Sequence, residues 1–192
     1  TIGIKQFGPT GKIIGERLFT GLFTSGAYSE TPRKIPLLRR KVDAVMKQSG
    51  YGATSHDGKA LMHVLEDYPR AELFQTPLED LNDITRGIVH LQERQRTALF
   101  MRLDPYERYV SAIIFLPRVR LDTMLQHKFE TILADALDGE LQAGYAHVTD
   151  EPLGRLHFII KTTPGAIPDF DIKDIEARLI DAGQSWGDRL KS

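Results

Sequence analysis

The stretch TALFMRLDPYERYVSAIIFL, Thr97 to Leu116, decides the fold. Two runs rich in aliphatic and aromatic residues, 97–103 and 109–116, flank Asp104-Pro105-Tyr106-Glu107. Proline in second position presets φ for a type I turn, and the flanking runs favour strands. The stretch predicts an antiparallel hairpin. Downstream, Leu121, Leu125, Phe129, Ile132 and Ala136 recur at helical spacing and predict one face of a long helix that ends at Gly139. Leu141–Thr149 and Arg155–Thr162 predict a second hairpin around Asp150-Glu151-Pro152. Residues 165–170 read as a loop. Ile172, Ile175, Leu179, Ile180 and Trp186 then mark a last amphipathic helix.

The order is therefore ββαββα. One antiparallel sheet with two helices on one face buries every apolar stripe. The class is α+β, with the layout of ferredoxin-like and ACT-like modules, given either a shifted start or a missing final strand.

Upstream, residues 25–96 read as helical. Pro32 and Pro36 break a linker over 25–36. Leu38, Val42, Val45 and Met46 form a stripe with Pro36 near the first turn, closed by Gly50 and Gly52. Ser55 or Asp57 caps a second helix, with the stripe Leu61, Val64, Leu65, Tyr68 and a stop at Pro69. Thr76-Pro77-Leu78-Glu79 reads as a capping box opening a third helix with the stripe Leu78, Leu81, Ile84, Ile88, Leu91. At the front, Ile2–Lys5 and Ile13–Thr24 around Gly8-Pro9-Thr10-Gly11 predict another hairpin. A hairpin alone is marginal in water. The chain runs from Thr1 straight into it, which reads as a piece of something longer. The expected division is residues 1–30 as the C-terminal hairpin of a truncated preceding domain, 31–96 as a helical connector, and 97–192 as the ACT-like domain.

Composition narrows the chemistry. The 192 residues contain no cysteine, which excludes disulfides, thiolate metal sites and a cysteine nucleophile. That usage suits a cytoplasmic chain. No apolar run approaches the ~20 residues of a membrane span, so no membrane is expected as a partner. The net charge of −1 gives no global pull toward nucleic acid. It hides an asymmetry: the first 60 residues hold 10 basic and 4 acidic side chains. The excess centres on Arg33, Lys34, Arg39, Arg40 and Lys41. A solvated helix face, or a surface docking on another part of a longer chain, is the favoured reading; no nucleic-acid signature supports the other.

Neither a Gly-x-Gly-x-x-Gly nor a Gly-x-x-x-x-Gly-Lys-Ser/Thr loop is present. Ser55-His56-Asp57-Gly58-Lys59 contains the letters of a catalytic triad, but neighbours in sequence do not reach triad geometry. A capped helix start is the favoured reading, with a small anion held by Lys59 and the loop amides as the alternative. His147 and His157 lie on paired strands without an evident third ligand, so no metal is expected. Leu116-Pro117-Arg118-Val119-Arg120 closes a strand before the long helix. Arg118 and Arg120 there suit a carboxylate or phosphate, and with Lys59 they are the candidate effector-binding residues. No catalytic, cofactor-binding or metal residues are assigned.

A family resemblance runs through the chain in order. Ile2-Gly3-Ile4-Lys5, Gly15-Glu16-Arg17-Leu18-Phe19-Thr20-Gly21-Leu22-Phe23-Thr24-Ser25, Leu38-Arg39-Arg40-Lys41-Val42 and Ser55-His56-Asp57-Gly58-Lys59-Ala60-Leu61 carry its first part. Tyr68-Pro69-Arg70, Glu72-Leu73-Phe74-Gln75, Leu91-Gln92-Glu93-Arg94-Gln95-Arg96 and Tyr109-Val110-Ser111 carry the rest. These stretches resemble the bacterial large-type NAD-specific glutamate dehydrogenases, with residues 163–192 the least recognisable. The resemblance implies a parent several times longer that converts L-glutamate and NAD to 2-oxoglutarate, ammonia and NADH. It implies that this piece lies in the long N-terminal, non-catalytic region, with NAD the parent's cofactor and none here. The implied partners are the rest of the parent, its other subunits and an amino-acid effector. The alternative reading is an autonomous amino-acid-binding module.

Overall fold

The computed structural model describes residues 2–22 and 24–184. Strands β1 (Ile2–Phe7) and β2 (Ile13–Phe19) form the expected front hairpin, pairing Ile2 with Phe19 and Lys5 with Glu16. Gly11, at φ 74°, supplies the left-handed turn residue. The hairpin is exposed almost throughout, Ile4, Ile14 and Leu18 included. The second strand ends at Phe19, short of the expected Thr24. The expected linker contains a short helix, α1 (Ser25–Ser29), and a 3-10 turn at Pro32–Lys34.

Helix α2 (Pro36–Ser49) starts on its proline and stops where Gly50 turns left-handed at φ 73°. Helix α3 (His56–Asp67) is capped by Ser55, whose Oγ accepts from the Gly58 N–H at 3.1 Å. After Pro69 comes α4 (Arg70–Gln75), too short to leave a periodic stripe. Helix α5 (Leu78–Glu93) follows. The expected capping box does not form: Pro77 stands at the N-cap, no side chain caps the first turn, and Thr76 ends α4 instead.

Strands β3 (Ala98–Leu103) and β4 (Tyr109–Pro117) pair antiparallel across the Asp104–Glu107 turn, where the Glu107 N–H reaches the Asp104 carbonyl at 2.8 Å. Helix α6 (Thr123–Leu137) is capped by Asp122. It buries Leu125, Phe129, Leu133 and Leu137, and the expected Ile132 and Ala136 pack half-buried against the same core, so the inward face is the expected one widened by Leu133 and Leu137. The left-handed Asp138, not Gly139, ends it. Strands β5 (Glu140–His147) and β6 (Leu153–Lys161) form the second hairpin, and α7 (Ile172–Ala182) closes the described chain. Trp186, expected on that helix, lies outside the described residues.

The four strands make one antiparallel sheet in the order β3-β4-β6-β5. This is the α+β, ACT-like arrangement expected, and the topology selects its variant. Moved from front to end, β3 completes a ferredoxin-like βαββαβ sheet, so the described strands fit the shifted-start variant. Helices α6 and α7 cover one face over Val110, Ala112, Ile114, Leu156, Phe158 and Ile160.

The second face is also covered. Alternation along β4 turns Ile113 and Phe115 the other way, into a core with Leu38, Leu61, Leu65, Leu81 and Ile88 of the helical segment. Close approach is built in at Gly87 of α5: a Cβ there would stand 2.6 Å from Phe100 of β3. The helical segment and the sheet thus share a hydrophobic core. Among the described residues no helix is long and apolar enough to cross a membrane.

Candidate functional site

Polar groups concentrate on the sheet face turned toward the helical segment. Arg102 of β3 alternates with the apolar residues of its strand and so points at α4, where Glu72 waits. The pair is bidentate, Nε to Oε2 at 2.9 Å and Nη2 to Oε1 at 3.0 Å, with side chains only 3% and 2% exposed. Burial works against the Arg102 charge, and the hydrogen bonds to Glu72 and Tyr109 more than offset it, leaving the guanidinium pKa raised. Tyr109 continues the network by donating to Gln75 of α4. Lys41 of α2 closes it from behind. Its ammonium donates to the carbonyls of Leu73, Phe74 and Thr76 at 2.8, 3.2 and 2.6 Å, satisfying the orphan acceptors at the end of α4. Burial, and then the Arg102 charge, lower the Lys41 pKa.

One strand over, Ser111 and His157 share a buried hydrogen bond of 2.9 Å. Burial pushes the His157 pKa down, and the Arg155 and Arg102 charges add to this against an opposing pull from Glu72. The ring is therefore neutral at pH 7. His147 lies opposite Arg155, not opposite His157, and pairs with Asp67 at 3.2 Å. The two histidines thus go to separate partners, and among the described residues no group of three or more metal-ligating side chains converges.

The arginines singled out from the sequence sit in a 3-10 turn between β4 and α6, around the exposed Val119. Arg118 is tied to the β5–β6 loop. Its N–H donates to the Pro152 carbonyl at 2.8 Å, its guanidinium to the Thr149 carbonyl at 2.9 Å, and Asp150 lies 3.7 Å away. Lys59 lies elsewhere, in a 490 Å³ cleft between α2 and α3 with Arg33, Asp43 and Glu66. One helical turn on, His63 faces Glu151 at 3.6 Å.

The Ser55-His56-Asp57 run is structural. The Ser55 hydroxyl donates to the Gly52 carbonyl at 2.7 Å while capping α3. His56 is exposed and turned to Asp57 at 3.5 Å. A hydrolase built on Ser55 and His56 is thereby contradicted, because the hydroxyl has no histidine base. The seam joining helices to sheet was not anticipated residue by residue. Its one signal was a charged Arg102 in a strand that otherwise reads as buried.

Comparison with known proteins places these segments. Residues 35–94 match the family described as glutamate dehydrogenase, helical motif 1. Residues 98–187 match glutamate dehydrogenase, ACT2 domain. The NAD-specific glutamate dehydrogenase of Halomonas elongata is 36% identical over 98% of this chain. Its counterpart in Pseudomonas aeruginosa is 35% identical over 100%, and that of Mycobacterium tuberculosis 29% over 91%. The chain spans 12% of the length of each of these relatives.

Proposed function

Since the chain belongs to the glutamate dehydrogenase family, we propose that it is a non-catalytic regulatory and assembly segment of an NAD-dependent enzyme converting L-glutamate to 2-oxoglutarate, ammonia and NADH. The observation that carries this reading is the ordered match of a helical motif and an ACT2 domain, joined here through one core. A segment built this way passes a displacement of the sheet to the helices without slack, because packed interiors transmit strain.

NAD belongs to the parent, outside this segment. The partners are the rest of the parent chain and its other subunits, in the cytoplasm. The exposure of β1 and β2 supports a division in which residues 1–30 complete a preceding domain, followed by helices over 31–96 and the ACT-like unit over 97–192. Arg118, Arg120 and Lys59 remain the anchors proposed from sequence for an anionic effector.

The test is direct. The purified chain is expected to give no glutamate-dependent reduction of NAD, and measurable turnover overturns the reading. Deleting the segment from a full-length relative is expected to change its sedimentation or its response to amino acids; an unaltered enzyme removes the regulatory and assembly role.

A further inference from the structure

Residues 25–35, which lead from the front hairpin into α2, are seated on α3 and α4. Pro32 is buried, and Ile35 packs half-buried against the helical core. The other ties are polar and weak. Thr31 Oγ1 reaches Glu66 of α3 at 3.4 Å, at the long limit of a hydrogen bond. Lys34 stands 3.3 Å from Glu30 within the segment itself, both side chains exposed, and such a pair contributes little. The remaining tie is Arg70, the first residue of α4, whose Nη2 donates to the Glu30 carbonyl at 3.0 Å.

Arg70 is poorly matched to this place. Its Nε and Nη1 are buried without a hydrogen-bond partner, so a single neutral carbonyl serves a guanidinium rich in donors. Burial pushes its pKa down. A charge buried in that state is costly, and water reaches it once the segment lifts. The contrast lies in the same helix. Glu72 of α4 holds Arg102 of the sheet through two bonds of 2.9 and 3.0 Å, and the Lys41 ammonium holds the last α4 carbonyls. Toward the sheet and toward α2 this helix is fully engaged. Toward residues 25–35 it is under-compensated.

The segment also carries its own backbone bonds. The Glu30 N–H donates to the Gly26 carbonyl, Lys34 to Thr31 and Ile35 to Pro32. Lifting it therefore breaks few bonds to its neighbours.

We propose that residues 25–35 form a latch that opens as a unit ahead of the helices beneath it, with hydration of the Arg70 guanidinium offsetting part of the lost Pro32 burial. The closed latch ties the chain behind the front hairpin to α4, and through Glu72 to the sheet. The open latch lengthens that tether. Its use, to set how firmly a preceding domain is held, rests on the regulatory reading above; the opening itself does not. Turnover by the chain would overturn that reading and leave the latch standing, and the measurement below overturns the latch alone.

The test is residue-resolved hydrogen exchange on the 192-residue chain in increasing urea. The Glu30, Lys34 and Ile35 amides are expected to exchange through an opening that depends weakly on urea, well before the Leu61 and Leu65 amides of α3. Arg70→Met keeps an apolar stem and removes the unpaired donors. It is expected to slow the three latch amides by at least about threefold, since removing unsatisfied buried groups stabilises, and to leave Leu61 and Leu65 unchanged. Pro32→Ser, which weakens the closed state from the other side, is expected to speed the same three amides. Exchange of latch and α3 amides together, with one urea dependence, overturns the proposal. So does unchanged or faster latch exchange in Arg70→Met, or its failure to fold, because the guanidinium would then stabilise the closed segment. Latch exchange unchanged in Pro32→Ser overturns it as well.

Discussion

The two faces of the sheet are built by opposite chemistry. Toward α6 and α7 it presents Val110, Ala112, Ile114, Leu156, Phe158 and Ile160, an apolar layer filled by Phe129 and Leu133. Toward α3, α4 and α5 the same strands present Arg102, Ser111 and His157 among Phe100, Ile113 and Phe115. Both faces are largely buried along β3, β4 and β6, while the edge strand β5 is mostly exposed. The first is held by area removed from water, which tolerates sliding and repacking. The second adds directional contacts, Arg102 to Glu72 and Tyr109 to Gln75, which fix one register of α4 on the sheet. The proposed regulatory role gains from that fixed register, because packed interiors transmit strain.

The largest expected effects come from removing one anchor on each face. Phe129→Ala should cost about 3–5 kcal/mol by emptying core volume. Arg102→Ala should cost about as much, 3–5 kcal/mol, because Glu72 is left buried and unpaired. Urea denaturation of each variant measures this. The faces separate in the double variant Arg102→Met with Glu72→Met, which should recover most of the loss, since replacing both partners removes the orphaned charge. If the double variant stays as unstable as Arg102→Ala, the ionic pair does more than satisfy itself.

A smaller effect distinguishes the faces by pH. His157 has its pKa lowered in the folded state, chiefly by burial. The unfolded chain therefore binds the proton more readily, and this contribution to stability is present above about pH 6.5 and lost as pH falls below it. The melting temperature of the wild-type chain should drop more between pH 7 and pH 5 than that of His157→Gln. Parallel curves would remove His157 from the account.

The smallest effect should come from the front hairpin, which has neither kind of face. Phe19 is exposed, so Phe19→Ser should stay within about 0.5 kcal/mol. The amides of β1 and β2 should exchange with solvent well before those of β4 and β6, as expected of a hairpin alone. Slow exchange there would mean that the hairpin is covered in solution.

Most elements were legible before the structure. Pro36 and Gly50 frame α2, Ser55 caps α3, and the Asp104–Glu107 turn joins β3 to β4, because caps and turns depend on a few neighbouring residues. Where local signals competed, the reading slipped. Thr76-Pro77-Leu78-Glu79 satisfies the capping pattern, yet Thr76 closes α4 and gives its carbonyl to Lys41, a partner 35 residues away. In α6 the spacing marks Ile132 and Ala136, and only the sheet beneath buries Leu133 and Leu137 beside them more deeply.

Of the candidate site, the sequence marked Arg118, Arg120 and Lys59 by their place at element ends, but not the contact of Arg155 in β6 with Asp67 in α3, 88 residues away. No periodicity spans such a distance.

The sequence by itself determined the longer elements, their order and the α+β class, because period, propensity and turn chemistry act over a few residues. Only the tertiary structure decided that the helical segment roofs the second face of the sheet. It also decided that Arg102 meets Glu72, and that Arg155 of β6 meets Asp67 of α3. Those outcomes depend on which buried charge finds a partner across the fold, a matter of three-dimensional proximity and desolvation.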